Sequence, residues 1–150
     1  MTKTKNQMTL TFLATSENQA FARASAAAFA TQLNPTMAEL TEIKTAVSEA
    51  VTNAIIHGYE GLEGDNFVTM RCRLSDGEIY IEIEDSGQGI DDVQQALEPL
   101  YTSKPHEERS GMGFTVMSEF MDELLVDSVR DSGTLVKMRK KCASESFVVM

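Results

Sequence analysis

Cysteines and long apolar runs are scarce in this sequence, and each shortage excludes a class of protein. Cys72 and Cys142 are the two cysteines, and neither belongs to a CxxC or Cys/His pattern, so we expect reduced thiols without a metal or redox role. No stretch approaches the roughly 20 apolar residues of a membrane span, and the N-terminus lacks the apolar core of a secretion signal. We therefore expect a cytoplasmic protein.

Basic residues are also few. The chain has 13 Lys and Arg against 23 Asp and Glu, which gives a formal net charge of -10. Because nucleic-acid affinity depends on clustered basic side chains that release counterions from the polyanion, this balance argues against direct nucleic-acid binding. A basic protein partner is the more natural expectation.

The length of 150 residues and the hydrophobic content of 42% suit one domain with a single core. No internal repeat or interdomain linker interrupts the sequence. We expect the domain to occupy residues 1–140, with residues 141–150 forming a frayed C-terminal tail.

The N-terminal part of the chain predicts a strand and then a helix. Residues 8–14 are β-prone, and Ser16 stands where it can cap a helix. The apolar positions of that helix fall at helical spacing and include Phe21 and Phe29. Together with Ala24, Ser25 and Ala28, they form the apolar stripe predicted for this helix.

A second, longer helix is predicted to follow. Pro35 suits a first helical position, and Thr36 stands three residues before Glu39, as in a capping box. The pattern continues to about Ile56. We expect the helix to end at Gly58, with the glycine in the left-handed conformation.

Two hairpins complete the predicted elements. Residues 67–74 and 79–83 alternate between apolar and polar side chains on either side of a turn, and residues 124–129 and 134–139 form a second such pair. Helices and hairpins in this order predict a two-layer α/β (α+β) sandwich, in which the helices pack on one face of a mixed, mostly antiparallel sheet.

Two polar side chains on the long helix are the first candidates for chemistry. Glu49 and Asn53 are four residues apart, so they stack on one face, away from the apolar stripe. A carboxylate in this position could act as a general base, and the neighbouring amide oxygen could bind magnesium. A solvated helix face is the alternative that this pair leaves open.

Asp85 and Thr134 are candidates at the ends of strands. Asp85 continues the inward parity of the apolar residues before it, and a buried carboxylate needs a donor such as the amino group of adenine. Alternatively, it caps its own turn through the following amides. Thr134 has inward parity too, and it is either a second pocket residue or a satisfied core threonine.

Glycine pairs mark two further places where a ligand could approach the backbone. Gly87 and Gly89 follow Asp85, and Gly111 and Gly113 flank Met112 where a helix is predicted to begin. Free amides and the positive end of the helix dipole favour a phosphate chain at such a start. A glycine-rich helix entry without a ligand is the alternative.

Basic side chains between the glycine pairs are candidates to contact a terminal phosphate. Lys104, His106 and Arg109 lie in this long irregular stretch, and Arg offers phosphate a planar fork of donors. Solvated loop charges are the alternative. We interpret His57 as a helix-end residue, and Arg23 as an exposed residue off the apolar stripe of the first helix.

These motifs, taken in order, resemble those of a known superfamily. Glu49 to Gly58, Asp85 to Gly89, Glu108 to Phe114 and the pair Gly133-Thr134 resemble the N box, the two glycine boxes and the terminal Gly-Thr of the GHKL superfamily, which includes DNA gyrase and histidine kinases. The stretches from Phe21, from Pro35 and from Tyr101 are similar to the anti-sigma-F factors of endospore-forming bacteria.

The resemblance implies a GHKL (Bergerat) ATP-binding fold and a set of roles. Glu49 would be the catalytic base, Asn53 the magnesium ligand, and Asp85 and Thr134 the adenine readers. The motif glycines with Met112 would shape the pocket for Mg-ATP, with Lys104 and the catalytic Arg109 near the phosphates. Arg23 would contact partners.

The resemblance also implies the partners. A dimer would bind and inhibit the sporulation sigma factor, sigma F, and would phosphorylate a serine of the anti-anti-sigma factor. Two alternatives stay open, a nucleotide-gated binding module without catalysis and a catalytic domain like that of a histidine kinase.

Overall fold

The computed structural model describes residues 4–98 and 113–142. Five strands are present in these ranges, namely β1 (Asn6–Leu13), β2 (Phe67–Ser75), β3 (Glu78–Asp85), β4 (Glu123–Val129) and β5 (Gly133–Lys141). The helices are α1 (Glu17–Ala30), α2 (Met37–Asn53), α3 (Val93–Ala96) and α4 (Gly113–Phe120). Among these helices, none has the length and apolar character needed to cross a bilayer.

The strands form one sheet in the order β1-β2-β3-β5-β4. Every pairing between the described strands is antiparallel, so this part of the sheet is more regular than the mixed sheet expected. Both predicted hairpins are present as β2-β3 and β4-β5. The predicted two-layer α+β architecture is confirmed.

One face of the sheet is apolar and buried under the helices. The alternation predicted for the hairpins is observed, since every second residue of β2 and β3 is buried. From α2, Ile43, Val47 and Val51 are fully buried in the same cluster, and Met117 of α4 joins them. The core therefore lies between the sheet and α2, which fixes α2 across the central strands.

The inward face of α1 differs from the prediction. Ala22, Ala26 and Ala30 are fully buried, whereas Phe21 is 52% exposed and Phe29 is only partly buried. Helix α1 packs directly on α2. Alanine at every fourth position allows the two helices to approach closely. Ser16 precedes α1, but its side chain makes no capping hydrogen bond.

Both ends of α2 refine the prediction. Thr36 and Glu39 form the predicted capping box, with Thr36 Oγ1 accepting from the Glu39 amide at 3.1 Å. Pro35 precedes the cap instead of occupying the first helical position. At the other end a π-helical turn, Ala54–Gly58, continues the helix, and Gly58 is not left-handed. Its glycine requirement has a steric cause, described below.

The last strand ends close to residue 140, where we expect the domain to end. Strand β5 runs to Lys141, and Cys142 is buried, with its amide donating to the Gly77 carbonyl at 3.0 Å. Residues 143–150 lie outside the described residues. Both cysteines are free, and burial raises the pKa of Cys72 to about 12 and that of Cys142 to about 11, so both are neutral thiols.

Lys140 connects the end of β5 to two helices. It is 8% exposed, its ammonium donates to the Phe120 carbonyl at 2.6 Å, and it lies 3.2 Å from a carboxylate oxygen of Glu42. A cation at the C-terminal end of α4 also opposes the negative end of the helix dipole. Lys140 thus links α4 to strand β5 and to helix α2.

We predict that Lys140→Ala lowers the free energy of unfolding by about 2 kcal/mol, because a hydrogen bond from a charged donor is lost at a buried site. Urea unfolding followed by circular dichroism measures the change. Lys141→Ala is the matched control, since its side chain is exposed at the neighbouring position. Equal losses of unfolding free energy in the two variants would contradict the proposed link between α4 and β5.

Candidate functional site

A cavity of about 510 Å³ opens beside the C-terminal end of α2. Its walls come from the end of β3, the start of β5, the loop that leads to α3, and the first residues of α4. Five of the sequence-predicted site residues line it: Asn53, Asp85, Gly89, Gly113 and Thr134. The structure therefore brings together residues from four separate motifs.

A row of polar side chains crosses three neighbouring strands at one wall. Asp85 at the end of β3 is paired with Thr134 at the start of β5, and Thr134 is paired with Ser128 near the end of β4. Asp85 is 7% exposed and Thr134 is 9% exposed. Sheet pairing places the three side chains side by side, although only the first two were predicted.

Asp85 makes the turn cap that was one of its two interpretations, and it also faces the cavity. Its Oδ1 accepts from the Gly87 amide at 2.9 Å, so it caps its own turn, and the same side chain lines the cavity. Burial raises its pKa, and hydrogen bonds from the Gly87 and Thr134 backbones offset part of that rise. A ligand donor in the cavity would further favour the ionised form.

Gly58 and Gly87 make room for this carboxylate, and the role of Gly58 was not predicted. A Cβ atom on Gly58 would lie 2.9 Å from Cγ and from Oδ1 of Asp85, while one on Gly87 would overlap the Gly58 carbonyl. The amide of Gln88 donates to that carbonyl at 2.7 Å. The end of α2 and the loop after β3 are therefore in backbone contact, which side chains would prevent.

Tyr59 holds the start of the same loop by hydrogen bonds, and the sequence did not predict this role. Its hydroxyl donates to the Phe67 carbonyl at 2.5 Å and accepts from the Ser86 amide at 2.7 Å, which ties the start of β2 to the end of β3. Desolvation by burial raises the pKa of Tyr59, so it stays protonated and can donate. Because Tyr59 lies beyond the periodic part of α2, no periodicity in the sequence indicates its direction.

The second glycine of the first pair is held against the β4-β5 turn. Gly89 has a φ of +77°, and a Cβ atom there would overlap the Val129 carbonyl. The Gln88 carbonyl accepts from the Asp131 amide at 2.7 Å. These contacts fix the loop as one wall of the cavity.

Glu49 and Asn53 meet the start of α4. A Cβ atom on Gly113 would lie 3.3 Å from Oε2 of Glu49 and 3.3 Å from Nδ2 of Asn53, so the bare backbone of Gly113 rests on both side chains. Both residues are half-buried, and Asn53 lines the cavity whereas Glu49 lies one helical turn behind it. The face that bears Glu49 and Asn53 is therefore covered by α4, unlike the solvated face of the alternative interpretation.

The donor set near Asn53 suits magnesium that arrives with phosphates. Within residues 4–98 and 113–142, no three of His, Cys, Asp and Glu are grouped to hold a metal. Magnesium commonly takes one or two protein oxygens and completes its octahedron with water and substrate phosphates. The amide oxygen of Asn53 at the cavity wall fits such a site.

The other candidate residues are distributed as follows. Gly87 lies behind the cavity, and His57 lines it from the last turn after α2. Arg23 is exposed on α1, as predicted, and does not line the cavity. Five candidates lie outside the described residues: Lys104, His106, Arg109, Gly111 and Met112.

Comparisons with known proteins show the family of this chain. The family model described as the histidine kinase-like ATPase domain matches residues 12–140. The chain is 56% identical to an anti-sigma F factor of Clostridium botulinum over 91% of its own length and 95% of that protein. It is 59% identical to one of Clostridium perfringens, covering 91% and 96%, and 56% identical to one of Oceanobacillus iheyensis, covering 96% and 98%.

Solved structures share the fold. A Mycobacterium tuberculosis protein with RsbU and RsbW domains superposes with a TM-score of 0.67 at 18% identity over 92% of this chain, which spans 32% of that chain. The catalytic domain of the histidine kinase ThkA superposes with a TM-score of 0.56 at 13% identity, covering 90% and 96%. At these identities the likeness concerns the fold alone.

The raised pKa of Asp85 predicts a pH effect on stability. The folded chain binds the proton of the Asp85 carboxyl more tightly than the unfolded chain does. The protonated carboxyl therefore contributes to the free energy of unfolding below the ordinary pKa of 3.8, and this contribution is lost as pH rises through the folded-state pKa. We predict that wild type loses free energy of unfolding relative to Asp85→Asn over that interval. Urea unfolding at a series of pH values tests this, with Asp76→Asn in the exposed β2-β3 turn as the matched control. An equal pH dependence in wild type and Asp85→Asn would contradict it.

Proposed function

Since this chain belongs to the anti-sigma F factor family and has a histidine kinase-like ATPase domain, we propose that it binds and inhibits sigma F and uses Mg-ATP to phosphorylate a serine of the anti-anti-sigma factor. The observation that carries the catalytic part is the convergence of Asn53, Asp85 and Thr134 on one cavity. Glu49 lies one turn behind Asn53, beneath the first residue of α4.

The row at the strand ends is suited to an adenine base. The buried carboxylate of Asp85 accepts hydrogen bonds and has no cationic partner within residues 4–98 and 113–142, so a neutral amino donor from adenine satisfies it. Thr134 lies beside it in register and offers a hydroxyl. The close backbone contacts of Gly87 with Gly58 and of Gly89 with Val129 hold the loop after β3 in place beside this row.

The phosphates would extend from this wall toward α4. The amides at the start of α4 and the positive end of its dipole favour an anion, and Gly113 lines the cavity there. Asn53 would hold magnesium, which supplies charge neutralisation when bound. Gly111 and Met112 continue the same motif, and we assign Lys104 and Arg109 to contacts with the phosphates.

Glu49 is the group that we assign to the attacking hydroxyl. In the proposed step the serine oxygen forms a bond to the γ-phosphorus, the bond from that phosphorus to the β-γ bridging oxygen breaks, and the serine proton passes to the Glu49 carboxylate. ADP and phosphoserine are the products. Positioning and charge stabilisation account for most of the rate in this chemistry.

The regulatory part concerns surfaces away from the cavity. Arg23 is exposed on α1, and we assign it to a contact that sigma F and the anti-anti-sigma factor use in turn. We further propose that the chain acts as a cytoplasmic homodimer in sporulating cells. The family of its relatives supports the anti-sigma role.

We predict that Glu49→Gln slows phosphate transfer about 100-fold or more, the size of a lost general base, and leaves ATP binding intact. The assay incubates the purified chain with ATP labelled at the γ-phosphate and the anti-anti-sigma factor, and identifies the labelled amino acid. Glu17→Gln, at an exposed position in the first turn of α1, is the matched control. Transfer at the wild-type rate by Glu49→Gln would remove Glu49 from the mechanism, and label on a residue other than serine would contradict the proposed reaction.

For Arg23→Ala we predict at least a tenfold loss of affinity for sigma F with unchanged affinity for ATP, because the side chain is exposed and lies outside the cavity. Calorimetric titration with each ligand measures both. Lys5→Ala removes a positive charge at another exposed position and serves as the control. Normal sigma F binding by Arg23→Ala would contradict the assignment.

A further inference from the structure

Ser128 lies at the centre of a hydrogen-bond cluster behind the cavity wall. Its Oγ accepts from the Ile90 amide at 2.7 Å, and it lies 3.1 Å from the Gly133 carbonyl oxygen and 2.9 Å from the hydroxyl oxygen of Thr134. It therefore connects the loop after β3, the β4-β5 turn and the residue that faces the cavity.

The hydrogen atoms of this cluster can be counted. A serine hydroxyl has one hydrogen and two lone pairs, and the Ile90 amide uses one lone pair. If Ser128 donates to Gly133, Thr134 donates to Ser128 and offers the cavity only lone pairs. If Ser128 donates to Thr134 instead, Thr134 keeps its own hydrogen for a ligand.

The direction matters because Asp85 alone does not distinguish the two common purines. A carboxylate accepts hydrogen bonds, and both adenine, through its amino group, and guanine, through its ring N–H and amino group, can donate to it. The ring nitrogen next to the adenine amino group is an acceptor, whereas the corresponding nitrogen of guanine carries a hydrogen. A hydroxyl donor beside Asp85 therefore fits adenine and opposes guanine.

We propose that Ser128 is a specificity-determining positioning residue for adenine. It donates to Thr134 when nucleotide is bound, so that Thr134 directs its hydrogen, directly or through one water, at the acceptor nitrogen of the ring. Ser128 also holds the wall at Ile90. This inference rests on the proposed function, in which the cavity binds a purine nucleoside triphosphate.

The test compares dissociation constants for ATP and GTP in the full-length chain. Losing the directing hydrogen bond should reduce the preference for ATP over GTP about tenfold in Ser128→Ala, chiefly through weaker ATP binding and retained GTP binding. Ser128→Thr, which keeps the hydroxyl, should restore the preference. Ser132→Ala makes the same substitution at an exposed position of the β4-β5 turn and should leave the preference unchanged.

A double-mutant cycle separates this role from a structural one. If Ser128 acts through Thr134, then Ser128→Ala changes the preference no further in a Thr134→Val background. Ser128→Cys, which donates weakly at similar volume, provides the same comparison if the alanine variant does not fold. Equal losses for ATP and GTP, or additive effects in the cycle, would overturn the inference. Wild type that binds no ATP would overturn the proposed function as well, whereas ATP binding with unchanged preference in Ser128→Ala and Ser128→Cys would overturn this inference alone.

Discussion

The burial of the Asp85 carboxylate at the end of β3 is the constraint on which the rest of the site depends. The charge is accommodated in a space that Gly58 and Gly87 leave open, and a Cβ atom at Gly58 would lie 2.9 Å from the carboxylate carbon. The Gly87 amide caps Oδ1, and Tyr59 holds the adjoining Ser86 amide. The end of α2, the start of β2 and the end of β3 are thereby fixed relative to one another around one acid.

Burial of Asp85 costs stability when its carboxylate is ionised, but it prepares the carboxylate to accept a hydrogen bond from a ligand. Desolvation raises the pKa of Asp85, so the ionised form that a ligand donor requires is disfavoured while the cavity holds no such donor. A ligand that donates a hydrogen bond to the carboxylate reduces this desolvation cost. Its binding free energy therefore includes a contribution from the buried position of Asp85. Strained or costly groups of this kind are common at functional sites, where the surrounding structure maintains them.

The sequence predicted most of the elements and much of the site, for identifiable reasons. Strict alternation in β3 placed Asp85 inward, and the helical period of α2 placed Glu49 and Asn53 together. The helix α1 was predicted, but its apolar stripe was not the buried face, because packing against α2 favours small residues such as Ala22 over Phe21. The roles of Gly58 and Tyr59 were missed because both lie beyond the periodic part of α2 and contact residues eight or more positions away.

Ser128 could have been found from the sequence. It has the same inward parity on β4 as Leu124 and Val126, and a polar residue at such a position next to Thr134 is the same signal that identified Asp85. The central claim is that adenine binds against this row of side chains. The most direct test is a crystal structure with magnesium and a non-hydrolysable ATP analogue, in which we expect the adenine amino group within hydrogen-bonding distance of Asp85 and the phosphates at the start of α4. An adenine bound away from Asp85 and Thr134 would contradict the claim.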